Sequence, residues 1–174
     1  MRFHLSKIRG AAVAAALLLA SSCGEQHPTA ARAPRSSSAS ASTLLECPAN
    51  SSQTTSAIVG VLGGTVSLGG TSIAIPPGAL SAPTLITVTV PAGQYMEVDV
   101  HANDLTSFLF NSPVSITIDY SRCNRNDIQS APLTVWHINE QTKALIENMG
   151  GSDDKVAQSI TFSTGHLSGY AVAF

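Results

Sequence analysis

Charge is scarce in this 174-residue chain: Asp, Glu, Lys and Arg together make up 11% of it, and aromatic residues only 5%, with a single Trp. Three of its few bases, Arg2, Lys7 and Arg9, fall in the first ten residues, so no basic patch is left for a phosphate backbone and nucleic-acid binding is not expected. Without those three, the remaining chain is mildly acidic. No stretch repeats its apolar residues at helical spacing, which argues against a helical bundle. No Gly-x-Ser-x-Gly elbow is present to expose a nucleophilic serine. No group of His, Cys, Asp or Glu has the multi-ligand spacing of a dedicated metal loop, and neither metal nor cofactor is expected. The β-branched content, finally, excludes a chain disordered throughout.

What is present is short alternating runs. GGTVSLGGTSIAIPPGAL, from Gly63 to Leu80, places Thr65 to Leu68 and Thr71 to Ile75 on either side of Gly69-Gly70. Gly-Gly between alternating runs predicts a hairpin, because a primed two-residue turn needs positive φ. Pro76-Pro77-Gly78 then ends the ladder, since proline donates no amide hydrogen. Ile86, Val88 and Val90 alternate with Leu85, Thr87 and Thr89, and Met96, Val98 and Val100 with Glu97 and Asp99. Val114, Ile116, Ile118 and Tyr120 alternate with Ser115, Thr117 and Asp119. Further runs are Leu133 to Ile138, Ala144 to Met149, Val156 to Phe162 and Gly169 to Phe174. Period-two runs closed by Gly, Pro or Asn predict an all-β chain, an antiparallel β-sandwich of about nine short strands over 58–174.

Ahead of it, the bases precede the apolar run Ala11 to Ala20, which is too short to span a bilayer comfortably, and the small residues Ser21 and Ser22 follow: an export signal over 1–22. Gly24 to Ser42 has Pro, Ser and Ala without apolar period and reads as a disordered tether, within a linker over 23–57. Asn50-Ser51-Ser52 matches a glycosylation acceptor pattern that carries no meaning behind a bacterial signal.

Leu19-Ala20-Ser21-Ser22-Cys23 resembles the lipobox of bacterial lipoproteins, which implies lipidation of Cys23 and a membrane anchor. Ala20 stands where Leu is usual, and plain cleavage behind Ser22 is the alternative. Gly24 lacks the Asp that retains lipoproteins at the inner membrane, so the resemblance implies an outer-membrane address in the cell envelope, on either side of it. With Cys23 lipidated, Cys47 and Cys123 remain as a pair in an oxidising compartment, and a disulfide between them is expected.

GGTVSLGGTSIAIPPGAL, with SFLFNSPVSITIDYS at Ser107 to Ser121 and TGHLSGYAVAF at Thr164 to Phe174, resembles the ZU-five domain of zona-occludens proteins, ankyrins and netrin receptors and its bacterial relatives. The resemblance runs from Val59 to the C-terminus. It implies a β-sandwich used for interaction or as a spacer, without a cofactor and without turnover. An unknown protein or envelope component is then the expected partner.

Other chemistry is weighed against solvated surface. DVHAND (Asp99, His101, Asp104) and GGSDDK (Asp153, Asp154) read as solvated loops rather than calcium sites, and Trp136 and Tyr120 as core or edge fillers. His166-Leu167-Ser168 is the one motif with a catalytic alternative. Some ZU-five relatives and adhesion-receptor domains cut themselves at similar His-x-Ser sequences, which would make Ser168 a nucleophile, His166 its base, and the Leu167–Ser168 bond the target. Cleavage would release only a single strand, so an intact, non-enzymatic chain is expected.

Overall fold

The computed structural model describes residues 42–105 and 107–174; the expected export signal, Cys23 and most of the expected tether lie outside them. Six strands form one antiparallel sheet in the order β10 (Leu145–Gly150), β9 (Thr134–Ile138), β13 (Gly169–Ala173), β7 (Glu97–Ala102), β5 (Thr84–Val90), β2 (Gln53–Val59). Five form a second: β11 (Ser152–Asp154), β12 (Ser159–Leu167), β8 (Phe108–Asp119), β4 (Thr71–Ile75), β3 (Gly64–Leu68). The remaining pair, β1 (Glu46–Asn50) and β6 (Gly93–Tyr95), makes a two-stranded ribbon, and α1 (Arg125–Ile128) is a single turn capped by the Asn124 side chain.

One core lies between the two sheets. Ile86, Val88, Val98, Val100 and Val172 face it from the first, and Ile73, Val114, Ile116, Ile118 and Ile160 from the second, all fully buried. Each such side chain contributes about 1.5–3 kcal/mol relative to exposure, which is why the alternation fixes which face turns inward. Tyr170 and Phe162 meet across the layer with ring centroids 4.9 Å apart. Tyr120 is also fully buried, as a core filler should be, whereas Trp136 lies half-buried with its indole N–H donated to Thr134 Oγ1 at 3.1 Å.

The Gly-Gly hairpin forms as its residues dictate. Leu68 pairs with Thr71 across a two-residue turn, and Gly69 takes φ +61°. Pro76-Pro77-Gly78-Ala79 closes as a turn, with the Ala79 N–H donated to the Pro76 carbonyl at 3.2 Å and Gly78 at φ +80°. Positive φ at the third position is what this turn asks of a glycine.

Thirteen strands are present among the described residues, where about nine were expected. The additional ones carry little apolar signal. β2 is an edge strand of Gln, Thr and Ser whose Ile58 is 74% exposed, and β6 and β11 have three residues each. β1 and β2 lie at 46–59, so regular structure begins inside the stretch expected as linker rather than at Ile58. Glu97, expected on a solvated face, is buried because Lys143 reaches over it and forms an ion pair at 2.6 Å. Asp99 and Asp153, expected in solvated loops, are half-buried strand residues; Asp153 accepts the Tyr120 hydroxyl and pairs with Lys155 at 2.6 Å.

The chain changes sheets at Ser168. β12 belongs to the five-stranded sheet and β13 to the six-stranded one, so His166, Leu167 and Ser168 sit where the two layers join.

Candidate functional site

That crossing point gathers the most chemically capable side chains among the described residues. Pairing of β9 with β10 sets Glu147 opposite His137, and pairing of β9 with β13 sets Tyr170 on the other side of His137. His166 arrives from β12 in the facing sheet, with its ring edge-on to that of His137 at a centroid distance of 5.1 Å. The ligand-capable atoms of His137, Glu147 and His166 all lie within 4.8 Å of one another. Both histidines are half-buried and Glu147 is exposed.

Ser168 joins this group through His137. Its Oγ lies 2.9 Å from His137 Nε2, a hydrogen bond whose direction depends on the tautomer. Here the structure departs from the expected pairing: no hydrogen bond joins Ser168 to His166 among the described residues. His166 instead places Nδ1 3.4 Å from Thr164 Oγ1, while Thr164 accepts the His166 N–H at 3.2 Å and donates to the His166 carbonyl at 3.0 Å. Tyr170 donates its hydroxyl to that same carbonyl and lies 3.1 Å from Thr164 Oγ1. Burial pushes the Tyr170 phenol up to about 12, so at neutral pH it remains a donor. Burial, followed by the neighbouring His166, holds the His137 imidazole below the usual histidine range, which keeps a lone pair available on it.

A serine hydroxyl beside a neutral imidazole is the first half of a nucleophile–base arrangement. The second half is not assembled among the described residues. No carboxylate hydrogen-bonds His137 to orient it, and none of the positive-φ residues falls between 165 and 169, so the turn is not strained. The backbone on either side of the Leu167–Ser168 bond is held in place. Leu167 pairs with Phe108, and the Ser168 carbonyl accepts the Val100 N–H at 3.1 Å.

Sequence reasoning reached Ser168 and His166 but not His137 or Glu147. The signal was a histidine in LTVWHI, read as a strand, and another in TGHLS, read as the link between the last two strands. What it lacked was the register that makes strands 30 residues apart in sequence neighbours in space.

The expected cysteine pair is formed. Cys47 on β1 and Cys123 beside α1 are bonded, with Cα atoms 4.7 Å apart across a sequence separation of 76. Arg122, next in chain, reinforces the junction. Its guanidinium donates to the carbonyls of Pro48, Gly93 (3.2 Å) and Tyr95 (2.7 Å), which ties both strands of the ribbon to the loop after β8. Burial lowers the Arg122 pKa, yet the nearby Glu97 charge favours the cation.

A second cluster lies on the outer face of the six-stranded sheet. Asp99 is half-buried there near Glu140 and Glu97, with Lys143 and His101 facing it. Burial first, then the two glutamates, pushes its carboxyl up to about 6. One buried carboxylate oxygen, Oδ1, has no hydrogen-bond partner. Gly169 lets the Glu140 and Asp99 side chains approach, since a Cβ there would meet Glu140 Cγ at 2.5 Å and Asp99 Oδ1 at 3.0 Å. His101 Nδ1 lies 3.4 Å from the Leu105 carbonyl.

In comparisons with known proteins, no protein-family model matches the chain and no curated protein matches it.

Proposed function

We propose that this chain is a lipid-anchored, non-enzymatic module of a bacterial cell envelope, attached to the outer membrane through Cys23. Its β-sandwich makes contact with a protein or envelope component, or spaces one from the membrane. The observation that carries the reading is the bond between Cys47 and Cys123, because such a bond persists in an oxidising compartment and ties down the first strand, next to the segment a tether would pull. The export-type N-terminus and the lipobox-like run at Leu19 to Cys23 support it independently. One acyl chain holds a protein to a membrane only weakly, so stable attachment calls for the multiply acylated cysteine of lipoproteins. Cell fractionation tests this: the full chain is expected in the membrane fraction and the Cys23→Ala variant in the soluble envelope fraction. Membrane retention of a processed Cys23→Ala chain would contradict it.

The 2.9 Å contact between Ser168 and His137 favours one other reading, self-processing between Leu167 and Ser168. In that step the Ser168 hydroxyl would attack the Leu167 carbonyl carbon as His137 takes the hydroxyl proton. The Leu167–Ser168 C–N bond would then break as His137 returns that proton to the Ser168 nitrogen, leaving a free amine and an ester that water would hydrolyse. The missing orienting carboxylate and the relaxed turn weigh against it. Intact mass under denaturing conditions separates the two readings: a whole chain is expected, and loss of Ser168 to Phe174 that is abolished in Ser168→Ala would establish cleavage.

A further inference from the structure

We propose that His137, Glu147 and His166 form a binding site for a divalent transition metal of the zinc class, clamping one sheet of the sandwich to the other. Two imidazoles and one carboxylate are a donor set that suits Zn2+, Cu2+ and Ni2+ and is poor for Mg2+ and Ca2+, which ask for oxygen. The three side chains come from β9, β10 and β12, so a bound ion would join two strands of the six-stranded sheet to one of the facing sheet.

The distances allow it. Ligands about 2.0–2.2 Å from a tetrahedral metal stand about 3.3–3.6 Å from each other. One donor atom from each of the three residues already lies within 4.8 Å of the others, and Glu147 is exposed.

A second observation points to a ligand rather than to two histidines satisfied by the protein. Ser168 occupies His137 Nε2 at 2.9 Å and Thr164 faces His166 Nδ1 at 3.4 Å. His137 Nδ1 and His166 Nε2 are therefore left without a protein partner among the described residues. A hydroxyl on one ring nitrogen fixes ring orientation and leaves the other for the metal, which is the arrangement of outer groups around metal-bound histidines. Tyr170 in turn positions Thr164, at 3.1 Å.

Three protein ligands leave a fourth position for water or for a donor atom from a partner. Occupancy would also engage the lone pair of His137, and an imidazole so held cannot serve Ser168 as a base. The metal would then keep the Leu167–Ser168 bond intact. This inference does not depend on lipid anchoring or on the choice of partner.

The test uses the full, untagged chain, stripped with chelator and titrated with Zn2+ by calorimetry, with thermal melting alongside. One ion per chain is expected. At a hundredfold excess over Kd, melting is expected to rise by about 10 °C for a folded unit of about 130 residues. Glu147→Gln, at an exposed position, is expected to weaken binding about 10–100-fold without changing the melting of the metal-free chain. His166→Gln is expected to weaken it at least as much. Co2+ bound in place of Zn2+ should give the visible absorption of a low-coordinate nitrogen–oxygen site and lose it in His137→Gln. Absence of stoichiometric binding at 100 μM Zn2+ would overturn the proposal. So would a Kd that changes less than threefold in Glu147→Gln or in His166→Gln.

Discussion

Reduction of the Cys47–Cys123 bond is expected to cost this domain much of its stability. The bond closes a loop with a sequence separation of 76, and both sulfur-bearing residues are buried. In the chain-entropy account, releasing a loop of that length returns about 15 cal/mol/K to the unfolded chain, or about 4.5 kcal/mol at 25 °C. Unfolding entropy near the midpoint is about 0.27 kcal/mol/K for about 130 residues, so melting should fall by about 17 °C. The contacts of Arg122 to the ribbon carbonyls do not depend on the bond. The reduced sandwich is therefore expected to fold still, with β1 and β6 loosened. Circular-dichroism melts of the oxidised chain, the same chain in reductant, and a Cys47→Ala/Cys123→Ala variant measure the effect, with the last two expected to agree within a few degrees. A fall of less than about 5 °C, in protein whose bond is confirmed by non-reducing peptide mapping, would refute the reasoning. It would mean that the unfolded chain is already confined without the bond.

Asp99→Asn should stabilise the domain at pH 7. The folded carboxyl titrates at about 6 against 3.8 when free, so its protonated form favours the native state, and that contribution is present below pH 3.8 and lost as pH rises through 6. A displacement of that size would be worth about 3 kcal/mol at full burial, and solvent screening at a half-buried site reduces it to about 1–2 kcal/mol. Urea titrations at pH 4 and pH 7 should show the wild type losing that much relative to the variant, and parallel curves would remove the claim. Gly63→Ala should destabilise by about 3 kcal/mol or more, because the residue sits at φ +74° and a Cβ would lie 2.2 Å from the Ile75 carbonyl oxygen. A loss under 1 kcal/mol in denaturant would show that this corner gives way easily. Arg122→Ala should cost about 2–4 kcal/mol by orphaning the ribbon carbonyls. Amide exchange should quicken first at Cys47 and Tyr95, and uniform quickening would count against a local role.

The strands of the core were legible because their burial is one-sided. Val114, Ile116 and Ile118 announce an inward face only because Ser115 and Thr117 lie between them, and the Gly69-Gly70 turn states its own conformation. Edge strands carry no such mark. Gln53 to Ala57 reads as linker because its inward positions are Thr55 and Ala57, which carry little apolar contrast with Thr54 and Ser56, and its strand character comes from pairing with Thr84 to Val90. The cluster at the sheet crossing was half legible. Ser168 and His166 share one motif, but the hydrogen-bond partner of Ser168 is His137, 31 positions away, supplied by the register of β9 against β13. Glu97 shows the same limit for charge, since its buried ion pair with Lys143 is a product of the β9–β10 connection folding over the sheet.

The central claim, that Cys23 anchors an exported domain, is tested most directly by mass spectrometry of the N-terminal peptide from protein extracted from the cell envelope. The account predicts a chain that begins at Cys23 and carries the mass of several acyl groups on that residue. A mature chain with an unmodified Cys23, or one that retains Met1 to Ser22, would contradict it.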